Sequence, residues 1–247
     1  MLVPGIVAGK AAAGGYHASA VHFAGDGNTY LNIASLTAPG DSTGFCSYSL
    51  WFNGTSWANG SAMFVADPEN NYTSDLETRI LATVHETRSI FADATDANTI
   101  FASTNVVSAG WHNLLVSVQT NLGVGSKILQ MYLDDISSIS AIADTHAAFL
   151  MTYNGKSFWI GDDGFSDSYS GDLADVWIAP GVFVDFSVTA NRRKFISAAG
   201  KPVDPSGFPA SAMLFSGNAT GFLVNQGTGG AFTANGTITN ASTSPSD

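Results

Sequence analysis

Gly110-Trp-His-Asn-Leu-Leu-Val-Ser-Val118, followed by Leu129-Gln-Met-Tyr-Leu-Asp-Asp135, is the stretch on which the fold turns. Leu129, Met131 and Leu133 fall two residues apart, so an extended chain puts all three on one face. Trp111 to Val118 reads as a second strand. The same short apolar runs, bounded by Gly, Asn, Asp and Pro, recur outward in both directions. Tyr48, Leu50 and Phe52 share a face in Ser47-Tyr-Ser-Leu-Trp-Phe52, and Arg79 to Val84, Ser157 to Ile160 and Leu173 to Ile178 read alike. Many half-buried strands with turn residues between them predict an all-β sandwich or barrel.

One segment breaks the pattern. Ser187 to Ala199 carries a candidate N-cap in Ser187 or Thr189, helix-compatible residues through Arg193-Lys-Phe-Ile196, and Gly200 as a stop, which predicts one short helix near residues 187–199. Residues 1–20, rich in Gly and Ala, read as an extended arm that needs a surface to lie on. Residues 21–186 read as the sandwich core. Residues 187–247 complete the same domain with the helix, late strands and a polar C-terminal tail.

The chain has 247 residues, 45% of them apolar and only 12% charged, enough to bury a large core in one domain. Nine Lys and Arg against 20 Asp and Glu leave a net charge of −11, which repels nucleic acid and anionic lipid. The cluster Arg192-Arg193-Lys194 reads as a solvated helix face. The single cysteine, Cys46, has no intrachain partner and lies in an apolar strand, where it reads as buried filler. Residues 1–20 lack a basic start and a continuous apolar stretch and do not read as a secretory signal. No run of 18 apolar residues suits a transmembrane helix.

Four pieces, in order, resemble the concanavalin A-like lectin/glucanase superfamily, in its laminin-G-like branch. They are Val21-His-Phe-Ala-Gly-Asp-Gly-Asn-Thr-Tyr-Leu31, Tyr48-Ser-Leu-Trp-Phe52, the opening Gly110-Trp-His strand with its Leu129-Gln-Met-Tyr-Leu-Asp-Asp135 hairpin, and Tyr169-Ser-Gly-Asp-Leu-Ala-Asp-Val-Trp-Ile178. Asp135 stands where the family pattern has glycine. The resemblance covers about residues 20–180 and implies a two-sheet antiparallel jelly roll. The flanks, Met1-Leu-Val-Pro-Gly-Ile6, Arg192-Arg-Lys-Phe-Ile196 through Gly200-Lys-Pro-Val-Asp204, and Gly227-Thr-Gly-Gly-Ala-Phe-Thr233, resemble virion proteins of tailed phages and gene transfer agents. That implies a virion location and a capsid-decorating, fibre or tail component. It would be an assembly component or homo-oligomer, meeting other virion subunits through its N-terminal arm and C-terminal tail.

Catalysis finds little support in the residues. A glucanase of this superfamily needs paired carboxylates on one strand face. The only glutamates, Glu69, Glu77 and Glu86, make no Glu-x-Asp-x-Glu alternation, and Asp172 and Asp175, three apart, would point to opposite faces. His112, beside Trp111, reads as core packing. The expectation is a protein that is not an enzyme. A free carbohydrate-binding module and a degenerate glycoside hydrolase are the competing readings.

Calcium is the cofactor to weigh, because hard cations take convergent loop oxygens. Asp162, Asp163, Asp167 and Asp172 crowd Gly161-Asp-Asp-Gly-Phe-Ser-Asp-Ser-Tyr-Ser-Gly-Asp172, and the family resemblance adds a site between Asp26 and Asp175. Solvated turn carboxylates are the competing reading. A cell-surface glycan would need exposed rings. Trp57, in Asn53-Gly-Thr-Ser-Trp-Ala-Asn-Gly60, is the leading candidate, followed by Tyr72 and Tyr169.

Overall fold

A computed structural model describes residues 15–38, 43–54, 61–66, 76–81, 86–92, 99–104, 107–143, 147–165 and 167–247. In chain order the strands among them are β1 (Val21–Ala24), β2 (Tyr30–Ile33), β3 (Phe45–Gly54), β4 (Ser61–Ala66), β5 (Leu76–Leu81), β6 (Glu86–Ala92), β7 (Thr99–Thr104), β8 (Trp111–Gln119), β9 (Ile128–Leu133), β10 (Ile136–Ser137), β11 (Ile139–Ala143), β12 (Phe158–Ile160), β13 (Ser170–Pro180), β14 (Met213–Phe215), β15 (Thr233–Asn235) and β16 (Thr239–Asn240). They form two antiparallel sheets. The first runs β10-β9-β8-β3-β13-β1-β16, with β14 also on β13; the second runs β11-β7-β6-β5-β4-β12-β2-β15. The expected all-β jelly-roll sandwich is therefore the fold.

The two sheets meet over a core in which the expected alternation holds. Tyr48, Leu50 and Phe52 of β3, Leu114, Val116 and Val118 of β8, and Leu129 and Met131 of β9 all enter it. From the second sheet come Phe64, Phe158 and Ile160, with Phe64 set edge-on to Tyr48 at 5.0 Å.

The first sheet is covered on its outer face as well, which the strand pattern did not announce. The chain leaving β13 folds back across it, and Val184, Phe186, Phe195 and Ile196 pack on Trp51, Leu115 and Trp177 in a second apolar cluster. Phe195 sits at its centre, 4.9 Å from Trp177, 5.6 Å from Phe186 and 4.6 Å from Phe208. Val184 is held from both sides, its N–H donating to Ser47 Oγ at 2.9 Å and its carbonyl accepting from Ser117 Oγ at 2.6 Å. The serines that look like solvent-facing positions of β3 and β8 thus satisfy a buried loop backbone.

The helix expected over 187–199 shrinks to α1 (Thr189–Arg192), with neither expected N-cap in place: Val188 occupies that position without a side-chain cap. The Ser187 hydroxyl bonds instead to Asp185 at 2.6 Å. Phe195 and Ile196 are drawn out of helical register into the aromatic cluster, and tertiary packing overrides local preference. A second short helix, α2 (Ala219–Phe222), is capped by Asn218, whose side chain accepts from the Gly221 N–H.

The C-terminal tail, expected to reach for a partner, belongs to the sandwich in the described structure. Strand β16 pairs with β1, the Ala241 N–H donates to the Ala20 carbonyl at 3.0 Å, and Trp111 Nε1 donates to Thr243 Oγ1 at 3.1 Å. The Ala18 N–H bonds Ser246 Oγ at 2.9 Å, and Lys201 Nζ bonds the Asp247 carbonyl. The tail closes the edge that β1 would otherwise leave open.

Candidate functional site

The aspartates singled out in the sequence are placed by strand register. Asp26 lies in the turn after β1, and its carboxylate accepts from the Asn28 N–H at 2.9 Å. Asp175 lies on β13, whose Ser170 is opposite Ala24. Five strand positions, roughly 16 Å at the ordinary rise, separate Ser170 from Asp175, so the two acids cannot share an ion. Asp162 is spent on its own loop, accepting from the Gly164 N–H at 2.6 Å and Ser168 Oγ at 2.7 Å. Asp163 accepts from the N–H groups of Phe165 and Asp167 at 2.8 and 3.0 Å. Asp172 takes His22 Nδ1 at 2.7 Å and Asn53 Nδ2 at 3.3 Å. Among the described residues no three metal-ligating side chains gather, and the expected calcium set does not fit.

Asp175 has another role. Strand β1 pairs with β13 as far as Leu173, β14 takes over at Val176, and the register against β3 shifts between Ala174 and Trp177. Asp175 is the extra residue, at φ +46°. Beyond it Val176 and Ile178 face the inter-sheet core while Trp177 joins the outer cluster. The bulge therefore removes the plain alternation that would set Asp172 and Asp175 on opposite faces. Asp175 is 0% exposed; Oδ1 accepts from the Tyr16 hydroxyl at 2.8 Å, and Oδ2 is buried with no partner among the described residues. Burial pushes its carboxyl up to about 7, against the Tyr16 hydrogen bond, and the charge of Asp204 adds to the rise.

His112 makes an arrangement that looks catalytic at first. Nδ1 lies 2.7 Å from Asp134 Oδ2, and Nε2 lies 3.3 Å from Ser108 Oγ. Nε2 is nearer the Ser108 carbonyl, at 2.9 Å, which needs a proton from it. A carbonyl only accepts, so Nε2 gives its proton to it and has no lone pair for the serine. Burial lowers its pKa but is outweighed by the Asp134 hydrogen bond and charge and by the Ser108 carbonyl, so the net shift is upward. His112 braces the loop before β8 to the β9–β10 turn.

Of the sugar-platform candidates, Trp57 and Tyr72 lie outside the described residues. Tyr169 does not serve: it is 0% exposed, its hydroxyl donates to the Asp172 carbonyl at 3.1 Å, and its ring packs 6.4 Å from Phe23. A buried ring has no face to offer a ligand.

The structure brings together a different set of rings on the outer face of the second sheet. In β12, Phe158 and Ile160 enter the core, so Trp159 between them points outward. Its cross-strand partners are Asn32 on β2 and Val65 on β4. Tyr30, two residues before Asn32, stacks on Trp159 at 4.6 Å with a 42° tilt. The Asp162–Asp167 loop adds Phe165, 55% exposed, while Gly164, at φ +79°, lies against the Trp159 six-membered ring. Together Asn32, Ala34, Ser157, Trp159 and Phe165 border a groove of about 270 Å³. Asn235 Nδ2 donates to Asn32 Oδ1 at 3.1 Å. Rings beside polar side chains in a concave site are the composition of a small-ligand site. The readable signal was the Phe-Trp-Ile alternation, which sets one large ring against the core-facing pair.

The architecture is that of a concanavalin A-like jelly roll. The heptameric serum-amyloid-P-like pentraxin of Limulus polyphemus matches 91% of this chain over 94% of its own, at 10% identity and a TM-score of 0.58. Domains 4 and 5 of the mouse laminin α1 chain match 76% of this chain over 48% of theirs, at 13% identity and a TM-score of 0.48. Domain 4 of an extracellular arabinanase from Geobacillus stearothermophilus, solved with arabinotriose, matches 70% over 75%, at 16% identity and a TM-score of 0.44. No protein-family model and no curated sequence matches the chain.

Proposed function

We propose that this protein is a non-catalytic, lectin-like binding module, and that its ligand is a glycan taken up in the groove at Trp159. The observation that carries the reading is the outward Trp159 and the exposed Phe165 beside the polar side chains of Asn32 and Ser157 at one groove. A pyranose has an apolar face and a polar rim, and such a groove meets both. A neutral site on a chain of net charge −11 suits a neutral sugar better than an anionic one. Enzymatic turnover is not part of the proposal: the His112 constellation is a brace, and Asp172 is paired with His22.

The finer reading places the module on a phage-like particle, as capsid decoration, fibre or tail protein. The resemblance of the flanks supports it. In this reading residues 1–14 dock on another virion subunit. Because the C-terminal tail is engaged with β1, the arm is the segment assigned to assembly.

A glycan microarray separates the two roles. The intact chain and the chain lacking residues 1–14 should bind the same glycans, and Trp159→Ala should lose them. Particle incorporation should fail for the truncated chain and survive Trp159→Ala. An array with no glycan bound by the intact chain, or with binding untouched by Trp159→Ala, contradicts the glycan site.

A further inference from the structure

We propose that Asp175 is a pH-sensitive catch for the segment ahead of β1: residues 15–20 lie closed on the first sheet while its carboxyl keeps its proton, and come off it as the carboxyl ionises. The inference is independent of the glycan site, which lies on the second sheet. It starts from where the bulge puts the side chain. Asp175 stands between Leu173, the last residue of β13 paired with β1, and Val176, the first paired with β14, so no strand pairs with it on that edge. The Tyr16 hydroxyl fills the gap, donating to Oδ1 at 2.8 Å, while Oδ2 is buried with no partner among the described residues. An ionised carboxylate there gives up its hydration for a single hydrogen bond, and a neutral carboxyl gives up much less.

The two ways of bringing water to that carboxyl differ in what they break. Strand β13 is interior to its sheet, paired with β3 from Gly171 to Pro180 and with β1 and β14 on its other edge. The segment ahead of β1 is held far less. Among the described residues its other ties are the Ala18 N–H to Ser246 Oγ, the Ala20 carbonyl to the Ala241 N–H, and His17 at 3.6 Å from Asp247, both of them largely exposed. Tyr16 is itself only half-buried, so lifting it is the opening that breaks least. The charges around the catch leave Asp175 as the group that changes. Tyr16 is held protonated by burial and by Asp175, and Asp204 adds to the cost of a second negative charge. Asp172 on the same strand is paired with His22. Strand β14 and the Ser49, Leu50 and Trp51 stretch of β3 bring no titratable side chain. Burial pushes the closed carboxyl up to about 7, against an ordinary value of 3.8 in water. The closed form thus binds the proton more tightly, and rising pH draws the segment open, by up to about 80-fold in population between pH 5 and pH 8.

The test follows amide exchange by nuclear magnetic resonance at pH 5 and pH 8, each rate divided by the intrinsic rate at its pH. The proteins are the intact chain, the near-isosteric Asp175→Asn, and His17→Gln. In the intact chain the Ala18 amide should lose protection at least about tenfold between the two, and Leu173 in β13 should stay better protected than Ala18 at both. Asp175→Asn should hold the Ala18 protection constant. His17→Gln should keep the fall, which removes the exposed pair with Asp247 as its source. A smaller fall in the intact chain, a fall that survives in Asp175→Asn or vanishes in His17→Gln, or equal protection of Ala18 and Leu173 overturns the catch. Should circular dichroism find Asp175→Asn unfolded, the intact chain and His17→Gln decide by the same readings.

Discussion

Asp175 concentrates much of the chemistry of the first sheet in one side chain. A carboxyl held neutral inside the fold but ionised near its ordinary value of 3.8 in the unfolded chain releases its proton on unfolding. Stability should therefore fall as pH rises from about 4 to about 7, by up to about 1.4 kcal/mol per pH unit. Asp204 and Tyr16 are the titratable groups that bear on it, and burial together with Asp175 holds Tyr16 protonated well past this range. Urea unfolding at pH 5 and pH 8 should find the protein weaker at pH 8, and Asp175→Asn should flatten most of that slope. His112 acts in the same direction. Its raised pKa contributes stability that is complete below its unfolded value near 6.5 and is lost as pH climbs through its folded one. A shallow slope above pH 6.5 should thus survive in Asp175→Asn, and an unchanged slope throughout would mean that burial of Asp175 is not its source.

Among the elements, the β9–β10 turn shows what aspartate does at position 135. Asp134 and Asp135 both have positive φ, at 51° and 68°, as a two-residue hairpin of this hand requires. Glycine would adopt that backbone more easily. Asp135 instead binds Arg192 Nε at 2.5 Å and Arg193 at 2.6 Å, while the Arg192 guanidinium lies 4.6 Å from the Tyr132 ring centroid. The basic cluster that reads as a solvated face is in part a latch holding the outer layer to the sheet edge. Asp135→Gly should lower amide exchange protection across residues 186–196 and leave β8 and β9 protected, with a change in global stability within about 1 kcal/mol. Equal protection in both proteins would contradict the latch.

The strands were legible because half-buried sheets write a period of two into the sequence, as in Leu129, Met131 and Leu133. The outer layer was not, because Phe186, Phe195 and Phe208 follow no period and meet only through tertiary packing. The bulge at Asp175 was hidden for a related reason: a single inserted residue shifts the faces of Val176 and Trp177 without altering composition. For the site, the sequence favoured aromatics in turn-rich surroundings and so pointed to Trp57. Trp159 lay in a run that reads simply as a buried strand.

At the scale of the whole molecule, the fold divides its labour by face. The inner faces of both sheets make the core, the outer face of the first sheet is closed by the segment after β13, and the outer face of the second sheet carries the groove at Trp159. The edge of β1 is occupied by β16, so the jelly roll spends its C-terminus on its own closure. The groove at Trp159 is where the proposed glycan binds. The five tryptophans give it a direct readout, since each indole N–H has its own nuclear magnetic resonance signal. On titration with a glycan selected from the array, the Trp159 signal should shift in a saturable way, while those of Trp177, bonded to the Pro209 carbonyl, and Trp111, bonded to Thr243, stay in place. A saturable shift at Trp57 with Trp159 unmoved would contradict the account.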